Sequence, residues 1–393
     1  MSQATPRWKV LVVGLGDIGT HILEVLARTP SIAQVTAVDI ADPDEKNRAT
    51  YSAELGALHH GQVSRMEYTQ LDVSNTGETA EFIKSKSPDC VISCTSLLSW
   101  WVPQAHLPDE VFRRVDEAGF GPWFPLHFTL LHHLMLAVRE AAPGVPVVNC
   151  SYPDATNASL ARIGLAPAIG VGNCDLFFPR FRLIAADHFA GSPEDADVYF
   201  VGDHYMAHVL NQFQSASGVP YYLKILYKNN DVTDELAAAF GDMDTLLVEA
   251  NRHMPRGAAD HFLVAASAVK NVVGLLEGGD RIEYSPGPCG LPGGYPVRFS
   301  GGAVEVVLPE DISLDDAVRI NQDAGKGDGV DSIRDDGTVV LTEKAHSIMQ
   351  EELGFSVREY EPWECEEHAR ALLDCFWRLV RTHGAHQPEA DGA

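Results

Sequence analysis

Basic residues are scarce in this 393-residue chain: 29 Lys and Arg stand against 55 Asp and Glu, a formal net charge of −26. Nucleic-acid binding needs clustered cations to meet phosphates, so that partner is excluded, as is an anionic membrane surface. Cysteine is sparse and odd in number, seven in all, with no C-x-x-C spacing. A disulfide framework or structural zinc knuckle is not expected, and a reducing cytoplasmic setting fits. No uninterrupted apolar run approaches the ~18 residues needed to span a bilayer. The start, MSQATPRWKVLVVG, has no signal-peptide architecture and enters a strand pattern at once. What remains is an ordinary globular composition, 45% apolar and 21% charged, long enough for two or three domains.

The strongest local pattern comes first. Val10 to Val13 is a β-branched apolar run, followed directly by Gly14-Leu-Gly16-Asp17-Ile18-Gly19. Ile18, Ile22, Val25 and Leu26 then recur at helical spacing up to Pro30, and Val35 to Ile40 reads as the next buried strand. A strand, a glycine turn, a helix and a strand make one right-handed βαβ unit. Gly14 permits the tight turn, Gly16 lets a pyrophosphate approach the backbone, and Gly19 lets the helix pack against the strand. The helix start, with Asp17 and Ile18, offers backbone N–H groups to the anion. Asp39 closes the second strand, where a carboxylate accepts the two adenosine ribose hydroxyls and repels a 2′-phosphate. The expected cofactor is therefore NAD. The competing reading is a glycine-rich turn that binds nothing.

Further strand signals at 66–73, 90–95 and 145–149 alternate with helical stretches, which predicts a doubly wound parallel α/β sheet of Rossmann type over residues 1–155. The segment Leu97 to Pro125 breaks the rhythm and reads as a mobile functional loop. Residues 156–330 change to an α+β pattern, and Gly325 to Gly329 reads as a boundary. Residues 331–393 form a C-terminal α/β extension. Its last helix has an apolar side that needs cover from the second domain or another subunit, and its tail is expected to be disordered.

The second half resembles the lactate/malate dehydrogenase family. Ile169-Gly-Val-Gly-Asn-Cys-Asp-Leu-Phe-Phe-Pro-Arg-Phe-Arg182 is similar to the start of that family's substrate-binding helix. Val198-Tyr-Phe-Val-Gly-Asp-His204 is similar to the strand leading to its catalytic histidine. Val38-Asp-Ile with Leu58-His-His-Gly61, and the stretch Tyr295 to Pro309, extend the resemblance over residues 8 to 325. It implies an α+β catalytic domain, hydride exchange between NAD and a small 2-hydroxy or 2-oxo acid, and a homodimer or homotetramer. His204 matches the acid/base, Arg180 the fork that clamps the substrate carboxylate, with Arg182 its neighbour. Asp175 is the nearest carboxylate to orient the histidine, and Asn149 the approximate match on the nicotinamide side. An imidazole suits the proton transfer, and a guanidinium suits a bidentate carboxylate.

The sequence departs from that pattern in several places. Asp175 stands further from Arg180 than the family spacing, and Phe177 takes the aspartate position in an ungapped match. Phe124 replaces the loop arginine that polarises the substrate carbonyl, with Arg113 and Arg114 earlier in the loop. Trp100 and Trp101 occupy the part of the loop that selects the substrate side chain, where malate would call for an arginine. No metal ligand set is assigned: His59-His60 and His132-His133 are sequence neighbours and do not share a helix face. Two other functions stay open. One is an NAD- and metal-dependent glycosidase of family 4, with Cys174 and His204 as ligands. The other is a non-catalytic NAD-binding protein.

Overall fold

Residues along β1 (Trp8–Val13) alternate between two cores. Val10 and Val12 join Ile22, Leu23 and Leu26 of the helix Asp17–Ala27, while Leu11 and Val13 join Ala80, Ile83, Phe128 and Leu131 on the opposite face. Period-two alternation with both faces apolar is the mark of a strand covered by helices on each side. The structure, a computed structural model, describes residues 7–216, 218–255 and 257–382. The expected disorder of the tail beyond 382 falls outside the described residues.

β1 is central in a six-stranded parallel sheet with β2 (Ile32–Asp39), β3 (Arg65–Gln70), β4 (Cys90–Ser93), β5 (Val147–Asn149) and β6 (Ile169–Gly170), in the order β3-β2-β1-β4-β5-β6. The order reverses between β1 and β4, where Val13 pairs with Ser93. In such sheets the crevice outside the strand ends at the reversal is the ligand site. The fold is thus the doubly wound α/β sheet that the alternation predicts.

Two antiparallel sheets follow: β7 (Ala196–Val201), β8 (Tyr222–Tyr227) and β9 (Asn230–Asp231), then β10 (Gly279–Pro286), β11 (Gly294–Phe299) and β12 (Val304–Val306). A single bridge, Gly202 to Gly294, links them. Phe178, Phe181, Phe200 and Tyr284 fill their core. The helix His261–Glu277 returns to the first sheet, where Ala265, Ala268 and Val272 pack beside Val10 and Val12.

The last section differs from expectation in what covers it. β13 (Val330–Ile333), β14 (Val339–Leu341) and β15 (Glu359–Tyr360) form a third antiparallel sheet. With the helices Glu343–Leu353 and Cys365–Thr382, it packs on the helix Phe124–Ala141 of the first sheet. Phe376 meets Trp123 edge to face, and Tyr360 Oη donates to Pro122 O at 3.0 Å. The apolar side of the last helix is therefore buried against the nucleotide-type domain, whose outer helix is apolar nearly all round. The segment 97–125 is also more ordered than a loop: it carries the helices Val102–His106 and Asp109–Asp116, because Val102, Leu107, Val115 and Ala118 bury into this core. Among the described residues no helix is long and apolar enough to cross a membrane.

Candidate active site

A cavity of about 620 Å³ opens at the strand reversal, running from Gly16–Gly19 to His204 and Asp328. At its first end the three glycines divide their work by geometry. Gly14 has φ +93°, and a Cβ there would stand 2.8 Å from Cys94 O. A Cβ on Gly19 would meet Gly14 O at 2.1 Å, so the helix approaches the turn only because both lack side chains. Nothing stands within 4 Å of a Cβ built on Gly16, which leaves that side open. Gly16 also caps the helix Asp17–Ala27 without any side-chain hydrogen bond, so the first N–H groups remain for an anion. Asp39, at the end of β2, accepts from Leu15 N at 2.6 Å and from Ala41 N at 3.0 Å. It lies beside the turn but not on the cavity wall. An open glycine, an uncapped helix start and a carboxylate at the next strand end fit a dinucleotide.

At the other end His204 opens the helix His204–Phe213 directly after β7, with Asp203 as its cap. Its backbone N donates to Asp154 Oδ1 at 3.0 Å, and its Nδ1 donates to Asp328 Oδ2 at 2.9 Å. Asp328 is buried and also accepts from Tyr152 Oη at 2.9 Å and Phe120 N at 3.0 Å. Burial opposes charge on both partners, but their contact prevails. The His204 imidazole is pushed up to about 9, helped by Asp154 and Asp203, and the Asp328 carboxyl is held below its ordinary range. Tyr152, which braces Asp328, is itself in the left-handed region at φ +48°, a conformation costly for a bulky side chain and concentrated at functional sites.

Sequence reasoning places His204 on the cavity but mistakes its partner. Asp175 lies in the tight turn Asn173–Leu176, which aims it at the helix His261–Glu277. There it accepts from Lys270 Nζ at 2.7 Å and Ser267 Oγ at 2.5 Å. Arg180, on the helix Phe178–Phe189, is half-buried and does not line the cavity. Arg182 is buried against Ile282 O, Glu283 and the Phe178 ring. Asn149 is fully enclosed: it donates to Thr156 Oγ1 and Asn157 Oδ1, and accepts from Ser151 N. It is fully buried and does not line the cavity. Cys174 is buried and donates to Asp203 O at 3.5 Å. Among the described residues no group of three or more His, Cys, Asp and Glu side chains is arranged to hold a metal. Trp100 and Trp101 do line the cavity, each about two-fifths exposed.

Three groups at this end escape sequence reasoning: Asp328, Tyr152 and the pair His127–Ser151. The one available signal is Gly325-Lys-Gly-Asp-Gly329, too glycine-rich for a plain boundary. A Cβ on Gly119 would stand 2.3 Å from Asp328 C, and Gly121 N donates to Asp328 O at 2.7 Å. Backbone contact this close is what seats the carboxylate under His204.

No family model matches the chain. It is 22% identical over 354 residues to a malate dehydrogenase of Salinibacter ruber, an alignment covering 84% of this chain and 99% of that protein. Lactate dehydrogenase from Eimeria maxima, solved with NADH and oxamate, superposes with TM-score 0.56 at 15% identity, covering 80% of this chain and 90% of that one. Malate dehydrogenase from Plasmodium falciparum superposes with TM-score 0.53 at 12% identity, covering 94% and 100%. With the ordered motifs and the six-stranded sheet, the chain is similar over most of its length to malate dehydrogenase and has the fold of the lactate and malate dehydrogenases.

Proposed function

We propose that the protein is an NAD-dependent dehydrogenase that interconverts a hydroxyl and a carbonyl, with His204 as acid/base. The observation that carries this is the His204–Asp328 pair standing on the same cavity as the open Gly16 turn. NAD supplies the hydride acceptor. His204 takes the hydroxyl proton at Nε2 during oxidation and returns it during reduction. Asp328 fixes the ring by accepting from Nδ1 and stabilises the imidazolium, as a carboxylate does for a general base. With its ring pushed up to about 9, His204 rests protonated at neutral pH and is ready to protonate a carbonyl; oxidation should accelerate as pH rises toward 9.

The wall favours a substrate with an apolar or aromatic body. Trp100, Trp101, Phe112, Phe120 and Trp123 contribute to it, as do the carboxylates Asp17, Asp116, Asp260 and Asp328. Among the described residues no Lys or Arg lines it, and Arg256, between the lining residues Pro255 and Gly257, lies outside them. A carboxylate clamp by Arg180, as the 2-hydroxy acid reading requires, has no support from its position. We therefore favour hydroxy or oxo compounds with bulky apolar groups over malate.

A screen with NAD, followed at the nicotinamide absorbance, tests both parts. Aromatic or branched ketones and alcohols should turn over faster than malate or lactate, and His204→Asn should lower turnover by ~10²–10⁴-fold. Efficient malate oxidation abolished by Arg180→Lys would restore the carboxylate clamp. A His204→Asn variant with full activity would remove the acid/base assignment.

A further inference from the structure

Carbonyl reduction needs two things at the substrate oxygen: a proton donor, and a fixed dipole that accepts the developing negative charge. His204 provides the first. The family's loop arginine, which would provide the second, is Phe124 here, and that ring is fully buried. Among the described residues the cavity wall offers no other guanidinium or ammonium.

It does offer a second imidazole. His127 sits near the start of the helix Phe124–Ala141 and is 6% exposed, yet it lines the same cavity as His204. The Phe120 ring touches both, with centroids 4.8 Å from His127 and 5.2 Å from His204. The two imidazoles therefore belong to one end of the chamber. His127 Nδ1 is 2.8 Å from Ser151 Oγ. Ser151 is locked in turn, because its N donates to Asn149 Oδ1 at 2.8 Å, and Asn149 is anchored by Thr156 and Asn157. Among the described residues nothing partners His127 Nε2. Orientation of a ring through one nitrogen, with the other left for a ligand, is how a working imidazole is held.

We propose that His127 is a catalytic residue of this site, its Nε2–H donating a hydrogen bond to the same substrate oxygen that exchanges a proton with His204. Resting on the dehydrogenase reading, the step balances as follows. During reduction NADH would supply a hydride from its nicotinamide C4–H bond to the carbonyl carbon and become NAD+, as the carbonyl π pair moves onto oxygen. His204 Nε2 delivers the proton, while His127 keeps its own and stabilises the oxygen as charge develops. The environments divide the roles. Burial and the charge of His204 hold His127 down at about 3, so it stays neutral across the working range, whereas His204 is raised. Two like groups with oppositely displaced proton affinities are the pattern of a separated acid and electrophile. Asn149, matched to the nicotinamide side by resemblance, instead positions Ser151, which positions His127.

His127→Phe keeps the packing against Phe120 and removes the donor, and His127→Gln restores an N–H near the Nε2 position. His127→Phe should lower kcat for reduction by ~10²–10³-fold, with the Kd for NADH and the Tm unchanged, and His127→Gln should recover about tenfold of it. Ser151→Ala should lower kcat less than His127→Phe. Full activity in His127→Phe, or equal losses in both variants tracking a fall in Tm, overturns the proposal in favour of a packing role. Turnover lost in His204→Asn but kept in His127→Phe refutes this inference alone; turnover kept in both also removes the acid/base assignment of His204, and a parent protein that binds NADH but turns over no carbonyl or hydroxyl compound refutes the dehydrogenase reading. Imidazole ¹⁵N spectra of the unliganded protein provide a readout without turnover: His127 should be a neutral Nε2–H tautomer from pH 5 to 9. An Nδ1–H tautomer, donating to Ser151, overturns the proposal by itself.

Discussion

The two ends of the cavity are built in opposite ways. The end proposed for the cofactor comes from one βαβ unit, Val10 to Asp39, and presents backbone N–H groups at a turn that only glycine can make. The other end gathers Phe120, His127, Tyr152, His204 and Asp328 from separate segments, and what it presents to the cavity is side chains. His204 and Asp328 are 124 residues apart. A backbone-made site is written into contiguous residues, whereas a side-chain site depends on tertiary packing. The C-terminal section belongs to the second kind. It buries the outer helix of the first sheet, and the loop that precedes it delivers the carboxylate to the histidine.

Damage to one end should therefore spare the other, and Asp328→Asn gives the sharpest break. Asn keeps an acceptor for Phe120 N but removes the charge that holds His204. Turnover should fall ~10²–10⁴-fold, with the Kd for NADH within about twofold of the parent by fluorescence titration. Asp175→Asn should instead leave turnover nearly intact and lower stability, because Lys270 then keeps its charge beside a neutral partner. The opposite result, with turnover lost in Asp175→Asn and kept in Asp328→Asn, would return the catalytic pairing to the residue nearest in sequence.

That contrast marks how much was legible. Gly14 and Gly19 announce themselves because a Cβ at either clashes with backbone. His204 is readable because a strand followed by Gly-Asp-His places it at a helix start on the cavity. Asp175 is misleading because sequence proximity says nothing of the tight turn that aims it at Lys270. Asp328 is hidden in a glycine-rich stretch, where its own backbone stands against Gly119 and Gly121 and Gly329 stands against Ala118 O. Arg180 carries the right side chain at a helix position that turns away from the cavity, and periodicity alone does not reveal that.

Stability against pH separates the two ends with a smaller effect. Burial disfavours the His204 cation, but Asp328, Asp154 and Asp203 raise it from an ordinary 6.5 to about 9. A folded-state value above the unfolded one contributes stability that is complete below 6.5 and lost as pH rises to about 9, at most roughly 3 kcal/mol. Asp154, pushed up to about 6 mainly by burial, acts lower, between 3.8 and 6, and also favours the acid side. Denaturation midpoints should therefore fall from pH 6.5 to 9 in the parent and stay flat there in His204→Gln. A parent curve that is flat over that window would mean that the dyad is not an ion pair.

The smallest effect is at the cofactor end, where Asp39 combines two roles. Its oxygens accept from Leu15 N and Ala41 N, which ties the end of β2 to the glycine turn. Each carboxylate oxygen has two lone pairs, so one remains on each for a ribose hydroxyl. A 2′-phosphate brought to the same place would face the carboxylate at a cost of about 1–2 kcal/mol in a partly solvated setting, or about tenfold in affinity. Replacement by Asn separates the roles. It keeps one oxygen, enough for Leu15 N or Ala41 N but not both, removes the charge, and should narrow the preference for NAD over NADP by about tenfold with a modest fall in Tm. Asp39→Ala should narrow the preference similarly but lower the Tm further, since Leu15 N–H and Ala41 N–H both lose their acceptor. An Asn variant that discriminates as strongly as the parent would make Asp39 a clamp on the turn alone, and selection against NADP would then rest on other residues around the ribose.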